Sequence, residues 1–422
     1  MKIQIHKGTN EIGGTCIEIS TNRTKILLDY GTPLNDKTEP AAIKHKIDGI
    51  VISHPHKDHF GAIADIDKNI PIYCGELSQK LINSSRLFVP NKDKSGHEEL
   101  LTNNFQYFEK SKSFNIGDIK ITPLLIDHSA CEAFVFLIEA DNKKIVYSGD
   151  FRAHGRKSEL FDIILKNQKL KNPDILLLEG TMMQRSNDEF PTEQAVEDRI
   201  YQSIKDNDNL SFMISSSQNI DSLVSAYRAC KRLNKIFVVD MYTAWALEQV
   251  KLVSDSVPNK DWGDVQVITK LVGRQYGVIE KNPEYFGSFL KEIFNKKDIV
   301  VEIDDIKNNP QNYFLKVSAW RVQNVINHFD LKTANIIYNQ WIGHLEHKYS
   351  EDDAVSMYKN LKDNYNWIYA HTSGHADLAT LKKFATAINP KTLIPVHTEH
   401  KNEYNKHFEN VKVLDDGDNI II

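Results

Sequence analysis

The chain has 422 residues, a formal net charge of −5, 41% hydrophobic and 26% charged residues, a balance ordinary for a globular protein of one large or two smaller domains. The acidic excess excludes a protein that coats nucleic acid through its overall charge, while leaving room for local basic patches. The four cysteines, Cys16, Cys74, Cys131 and Cys230, are scattered and form no CxxC pair, which excludes a disulfide frame or thiolate site and suits a reducing compartment.

The N-terminal "MKIQIHKGTN" lacks the apolar core of a signal peptide, and no apolar run approaches the length of a membrane span. The expectation is a soluble, cytoplasmic protein without a membrane partner. Short β-rich runs then follow one another: "KIQIH", "CIEIS", "KILLDY", "GIVIS", "PIYC", "IKITPLLI", "AFVFLIEA", "KIVYSGD" and "DILLLEG". Gly, Asn, Pro and Thr turn signals separate them. Helical stretches interrupt near 76–87 and 158–168. After about residue 190 the rhythm changes to helix and strand in turn: "TEQAVEDRIYQSIKD", "LSFMIS", "NIDSLVSAYRACKRL", "IFVVD" and "YTAWALEQVKLV". That alternation predicts a βα layer on a parallel sheet. From 366 the chain returns to "WIYAHTSGHA", a helix over 376–388, "KTLIPVH" and a hairpin-like "VKVLDDGDNIII". The reading is an α/β protein: a β-rich domain in two parts, 1–190 and 366–422, with a βα domain, 191–365, inserted between them.

The densest chemistry lies at 51–62, "VISHPHKDHFGA", where His54, His56, Asp58 and His59 follow a short apolar strand. His54 and His56 share a face by the two-residue strand period, and Asp58 and His59 turn past it. Imidazole and carboxylate are the ligands that Zn²⁺, Mn²⁺ or Fe favour. More polar groups stand at the ends of apolar runs: Asp29 after "KILL", Asp127 and His128 after "ITPLLI", Asp150 after "KIVYSG" and His397 after "KTLIPV". Groups so placed line a cleft rather than a core. The isolated histidines, His6, His45, His97, His328, His344, His347, His371, His400 and His407, read as satisfied structural residues.

This HxHxDH run, with Asp29 before it and His128, Asp150 and His397 after it, resembles the metallo-β-lactamase superfamily. The resemblance implies an αββα sandwich and two metal ions. His54, His56 and His128 would hold one ion; Asp58, His59 and His397 the other; Asp150 would bridge both; Asp29 would buttress the loop from behind. The roughly 180-residue insert is similar to that of the β-CASP nucleases. Their further marks stand in order as Glu179 in "LLLEGT", His375 in "HTSGHA" and His397 in "IPVHTEH", and "ISSSQNIDSLVSAYRAC" is similar to the start of their insert. The ribonuclease J and mRNA 3′-end-processing branches look most alike. Glu179 departs from the Asp usual in ribonuclease J-like members, which opens the question of end-wise or internal cutting.

The resemblance implies hydrolysis of RNA phosphodiester bonds by a hydroxide held by two zinc ions, with Mn²⁺ as the alternative metal. Asp58, Glu179 and His375 are the catalytic candidates, His375 as general acid oriented by Glu179. Arg152 and Arg156, with His154 between them, stand just past Asp150. Ser215, Ser216, Ser217 and Asn219 precede a helix whose N–H groups suit a phosphate, and Ser373 lies beside His375. These are the candidate substrate contacts. Arg228, Lys231 and Arg232 read equally as a phosphate path or a solvated helix face. Tyr242 and Trp245 read as base-stacking or core residues, and Trp341 and His344 carry the same ambiguity. Single-stranded RNA is the expected partner, with DNA as the alternative polymer and a homo-oligomer left open. Two other readings compete: a small-ester or thioester metallohydrolase on the same scaffold, and a non-enzymatic binding subunit.

Overall fold

In the computed structural model, which describes residues 1–35, 38–89, 100–186, 189–296, 298–346 and 352–422, the early β-rich runs pair into two sheets. The first has the order Asn419–Ile421, Lys2–Lys7, Cys16–Ser20, Lys25–Leu28, Gly49–Val51, Pro71–Cys74, Asn104–Tyr107. It is antiparallel as far as Lys25–Leu28 and parallel beyond. The second has the order Thr392–Pro395, Ile175–Leu178, Lys143–Tyr147, Phe134–Ala140, Ile119–Leu125, Phe114–Ile116. Its first three strands run parallel and the rest antiparallel.

Side-chain alternation explains how the two sheets stack. Ile3, Ile5, Ile17, Ile19, Phe136, Ile138, Tyr147 and Ile394 point into one shared apolar layer between them. The opposite face of the second sheet packs Val135, Leu137, Val146 and Leu176 against Phe161 and Ile164 of helix Glu159–Lys166 and Leu381 and Phe384 of helix Leu378–Ile388. The outer face of the first sheet buries Cys16, Leu27, Ile50 and Ile72 beside Phe60, Ile63 and Ile82. The result is the expected αββα sandwich.

Strand direction decides where the polar ends gather. Lys25–Leu28 and Gly49–Val51 are parallel neighbours, as are Lys143–Tyr147, Ile175–Leu178 and Thr392–Pro395. Ile119–Leu125 runs the same way as Lys143–Tyr147, because both are antiparallel to the strand between them. Asp29, His54, His128, Asp150, Glu179 and His397 therefore all follow C-terminal strand ends.

The chain forms two compact units: residues 1–82, 101–188 and 373–422, and residues 83–100 and 189–372. The second contains a seven-stranded parallel sheet, in the order Val300–Val301, Val265–Ile268, Ile236–Asp240, Tyr313–Val317, Ser211–Ile214, Asn335–Tyr338, Asn366–Tyr369. This is the expected βα layer. The expected return at 366 differs from the change of unit at 372/373, because Asn366–Tyr369 pairs with Asn335–Tyr338 as an edge strand of this sheet. The tail is not a hairpin either. Val411 bridges Leu393 in one sheet, whereas Asn419–Ile421 pairs with Lys2–Gln4 in the other. His97 and His347 lie outside the described residues. No helix among those described is long and apolar enough to cross a membrane.

Candidate metal centre

The HxHxDH run leaves strand Gly49–Val51 and turns into a short helix, Lys57–Phe60. The turn is held close to its neighbours. Thr15 N donates to the Asp58 carbonyl at 3.2 Å and Tyr30 N to the His59 carbonyl at 2.8 Å. A Cβ on Gly31 would collide with that same Asp58 carbonyl oxygen, so only glycine admits this approach.

Two sets of ligand atoms converge. In the first, His56 Nδ1 lies 3.1 Å from His54 Nε2 and 3.2 Å from His128 Nε2. In the second, Asp150 Oδ2 lies 3.0 Å from His59 Nε2 and 3.5 Å from His397 Nε2, and Asp58 Oδ2 lies 3.6 Å from each of those nitrogens. Asp150 Oδ2 is also 3.7 Å from His54 Nε2, which puts it beside both sets. Each group matches a metal cluster of three or four donors.

Burial and charge set the protonation. Burial, then the neighbouring imidazoles His59, His56 and His128, keeps His54 well below its ordinary range. Burial takes His56 down to about 4, and burial with His56 and His375 takes His128 well below. His397 is lowered by burial as well. These four imidazoles are neutral at pH 7, the form that binds a cation. His59 is raised: burial opposes it, but Asp150, Asp58 and Asp29 outweigh burial. Asp150 is held well below the carboxylate range against burial by His397, His59 and His375.

The residues fit a pair of divalent ions. His397 Nε2 and Asp150 Oδ1 are buried without a hydrogen-bond partner among the described residues. Buried polar atoms left this way need another partner, and both are carried by residues of the convergent sets. The far nitrogens of three of these imidazoles are held in place. His128 Nδ1 is 2.5 Å from the Gly374 carbonyl, His397 Nδ1 2.8 Å from Thr15 Oγ1, and His59 Nδ1 2.8 Å from Asp29 Oδ2. Asp29 also accepts from Ser53 N, Ser53 Oγ and Tyr147 Oη at 2.6, 2.8 and 2.6 Å. Asp29 and His397 both sit at positive φ, 59° and 51°, a conformation uncommon for such residues that packing must enforce.

Next to Asp150, His375 Nδ1 lies 3.0 Å from Glu179 Oε2, and Glu179 Oε1 accepts from Phe151 N at 3.0 Å. Burial works against protonation of His375, but Glu179 and Asp150 raise it to about 9. Nδ1 is taken by the carboxylate, so Nε2 is the nitrogen left to exchange a proton with a ligand.

Comparison with known proteins agrees with this arrangement. Residues 24–200 match the sequence model of a beta-lactamase superfamily domain. Residues 367–413 match that of a Zn-dependent metallo-hydrolase RNA specificity domain. The chain belongs to the metallo-β-lactamase superfamily. Within it the chain is a β-CASP, ribonuclease J-like member. It is 24% identical over 314 residues to an RNase J-like protein of Methanocaldococcus jannaschii, covering 71% of this chain and 70% of that one. It is 23% identical over 461 aligned positions to a ribonuclease J of Helicobacter pylori, covering all of this chain and 60% of that one. A solved structure of an Enterococcus faecalis protein of unknown function has the same fold. Its TM-score is 0.73 at 18% identity, covering 100% and 99% of the two chains.

Not every sequence expectation maps onto this metallo-β-lactamase site. Arg152, expected at the substrate, is wholly buried. Its Nη1 donates to the Ser373 carbonyl at 2.9 Å and its Nε faces Asp127 Oδ1 at 3.7 Å. The guanidinium is thus spent inside the protein, bracing the segment that carries Gly374 and His375. His154 Nε2 lies 2.9 Å from the same carbonyl, and Ser373 Oγ accepts from His375 N at 3.1 Å. Arg156 is half-buried.

The serine loop belongs to the second unit. Ser215 and Ser217 are buried, and Ser217 Oγ accepts from Lys316 Nζ at 2.5 Å. Asn219 caps helix Ile220–Arg232 through Ser222 N, and Ser216 is the exposed member of the loop. Tyr242 and Trp245 are core residues, the first bonded to Gln218 and the second to Ser84. Arg232 pairs with Glu197 and Asp198, as a solvated helix face would. Trp341 and His344 contact one another edge to face. Thr15, Ser53 and Tyr147 were not singled out from the sequence. For Tyr147 a signal existed: a hydroxyl on the apolar face of a strand needs a buried partner, and that partner is Asp29.

Proposed function

We propose that the chain is a metal-dependent ribonuclease that hydrolyses phosphodiester bonds of single-stranded RNA. His54, His56 and His128 would hold one divalent ion, and Asp58, His59 and His397 a second, with Asp150 between them and zinc as the metal. When bound, two such ions lower the pKa of water and neutralise charge building on the scissile phosphate. The protein's own share is proton management and positioning. His375, oriented through Nδ1 by Glu179, carries a proton on Nε2 and delivers it to the departing ribose oxygen. Asp29 fixes the His59 tautomer, and the Gly374 carbonyl fixes that of His128.

The observation that carries this reading is the His375–Glu179 pair set against two convergent ligand clusters. Ester or thioester hydrolysis with a good leaving group has no need of such an acid, whereas a ribose alkoxide does. The match over 367–413 to an RNA specificity domain, which includes His375 and His397, favours RNA over DNA. The test is cleavage of end-labelled single-stranded RNA, and of DNA of the same sequence, by zinc-loaded protein alongside Asp58→Ala and His59→Ala. RNA cleavage lost in both variants with the fold intact is expected. Intact RNA together with thioester turnover by the same preparation overturns the reading.

A further inference from the structure

A second set of metal-ligand side chains lies on the outer face of the first sheet, apart from the centre above. Ile3 and Ile5 face the layer between the sheets, and His6 is the extra residue of a bulge, because Ile5 pairs with Ile17 while Lys7 pairs with Cys16. Bulges re-aim a side chain. Glu18, on the neighbouring strand Cys16–Ser20, is only 3% exposed. His45 comes from the connection before strand Gly49–Val51. His6 Nε2 lies 3.1 Å, and His45 Nε2 2.6 Å, from one and the same oxygen, Glu18 Oε2. The three ligand atoms all fall within 4.8 Å of one another.

Burial would push the Glu18 carboxyl up, yet hydrogen bonds from His6 and His45 outweigh it and hold the carboxyl below its usual range. A buried anion of this kind needs positive charge beside it. A hydrogen-bonded tie could be shared between both carboxylate oxygens; here both imidazoles converge on one. Ligand bonds of about 2.0–2.1 Å in a tetrahedral ion place donor atoms roughly 3.3–3.5 Å apart. The His6 spacing is tighter than this by about 0.2–0.4 Å and the His45 spacing by about 0.7–0.9 Å, and His45, 39% exposed in its side chain on an irregular segment, is the residue placed to open them. A cleft of about 550 Å³ lined by His45, Lys46, Asp48, Asp65 and Tyr30 opens beside it and admits water and ions.

We propose that His6, Glu18 and His45 form an additional metal site that takes one zinc-class transition ion through three protein ligands and an exchangeable fourth position. Two imidazoles and a carboxylate are a zinc donor set, and the open position suits an ion that exchanges with solvent. The ion would fasten strand Lys2–Lys7 to the connection that feeds strand Gly49–Val51.

The test is titration of the metal-stripped full chain with Zn²⁺ against a chromophoric chelator, for the wild type, His45→Ala and Glu18→Gln. The wild type is expected to bind one equivalent more than either variant, whatever the occupancy of the His/Asp centre. His45→Ala removes a partly exposed imidazole and leaves the buried layer intact. On the wild type itself, histidine ¹⁵N spectra are expected to show the His6 and His45 signals shifting with one added equivalent. Equal stoichiometry in the wild type and a folded His45→Ala, or His6 and His45 signals that stay put throughout, overturns the proposal.

Discussion

Replacing Glu179 by Gln tests the proton path at the carboxylate that orients its acid. Glu179 is fully buried, with Oε1 receiving Phe151 N and Oε2 facing His375 Nδ1, both at 3.0 Å. In Gln the carbonyl oxygen keeps the Phe151 bond, which turns the amide NH₂ toward His375. Nδ1 must then accept, which favours the neutral ring. The charge term points the same way. Against burial, Glu179 and then Asp150 raise His375 to about 9. Without the carboxylate the ring falls back toward its ordinary 6.5, a loss of up to about 2.5 pH units or about 3 kcal/mol. A general acid is needed protonated, so activity falls as pH rises through its pKa, and the alkaline limb of kcat/KM moves to lower pH. Bound cations move both profiles acidward, so the comparison between the two proteins is what counts. At pH 7 the protonated fraction falls from nearly all to about a quarter, so a kcat loss of at least about fourfold accompanies the move. The assay is initial cleavage rate of end-labelled RNA from about pH 5.5 to about 9.5, with metal content measured on the same samples. An unmoved alkaline limb with kcat within about twofold of wild type would refute the acid role. Loss of one metal equivalent would instead make Glu179 a ligand.

Asp29→Asn removes an acceptor for Ser53 N, Ser53 Oγ, Tyr147 Oη and His59 Nδ1, and an amide cannot accept from all of them. Zinc affinity at the His/Asp centre is expected to fall about 10–100-fold in a competition titration, and unchanged affinity would count against the buttress. In the second unit, Lys316 is wholly buried among Ser217, Thr243 and Ser318. Burial lowers it from 10.5 to about 8, against the pull of Asp240. Between those values the unfolded chain holds a proton that the folded chain has released, so stability from this group rises with pH. From about pH 7 to about 9.5 the wild type is expected to gain about 2 kcal/mol relative to Lys316→Met in urea unfolding. Parallel pH curves for the two proteins would show that Lys316 stays charged in its pocket.

The chemistry of the metal centre was legible because it is written locally. Four ligand-type residues crowd into the six positions His54–His59, and Asp29, His128, Asp150 and His397 each close an apolar run that reads as a strand. What the run of residues could not carry is which groups meet and which are buried. Arg152 reads as a surface cation beside the site, yet strand order brings Asp127 and the Ser373 carbonyl to its guanidinium and closes it off. "VKVLDDGDNIII" has the look of a hairpin, but its two halves find better partners in different sheets. His6, Glu18 and His45 are spread over three segments with nothing in their spacing to link them; a bulge and the neighbouring strand bring them to one oxygen. Residue type and two-residue periodicity act over a few neighbours, so the sequence alone determined the β-rich runs, the helix–strand alternation of the insert and the placing of candidate ligands at strand ends. Convergence over long separations depends on strand order and register, and only the tertiary structure decided it.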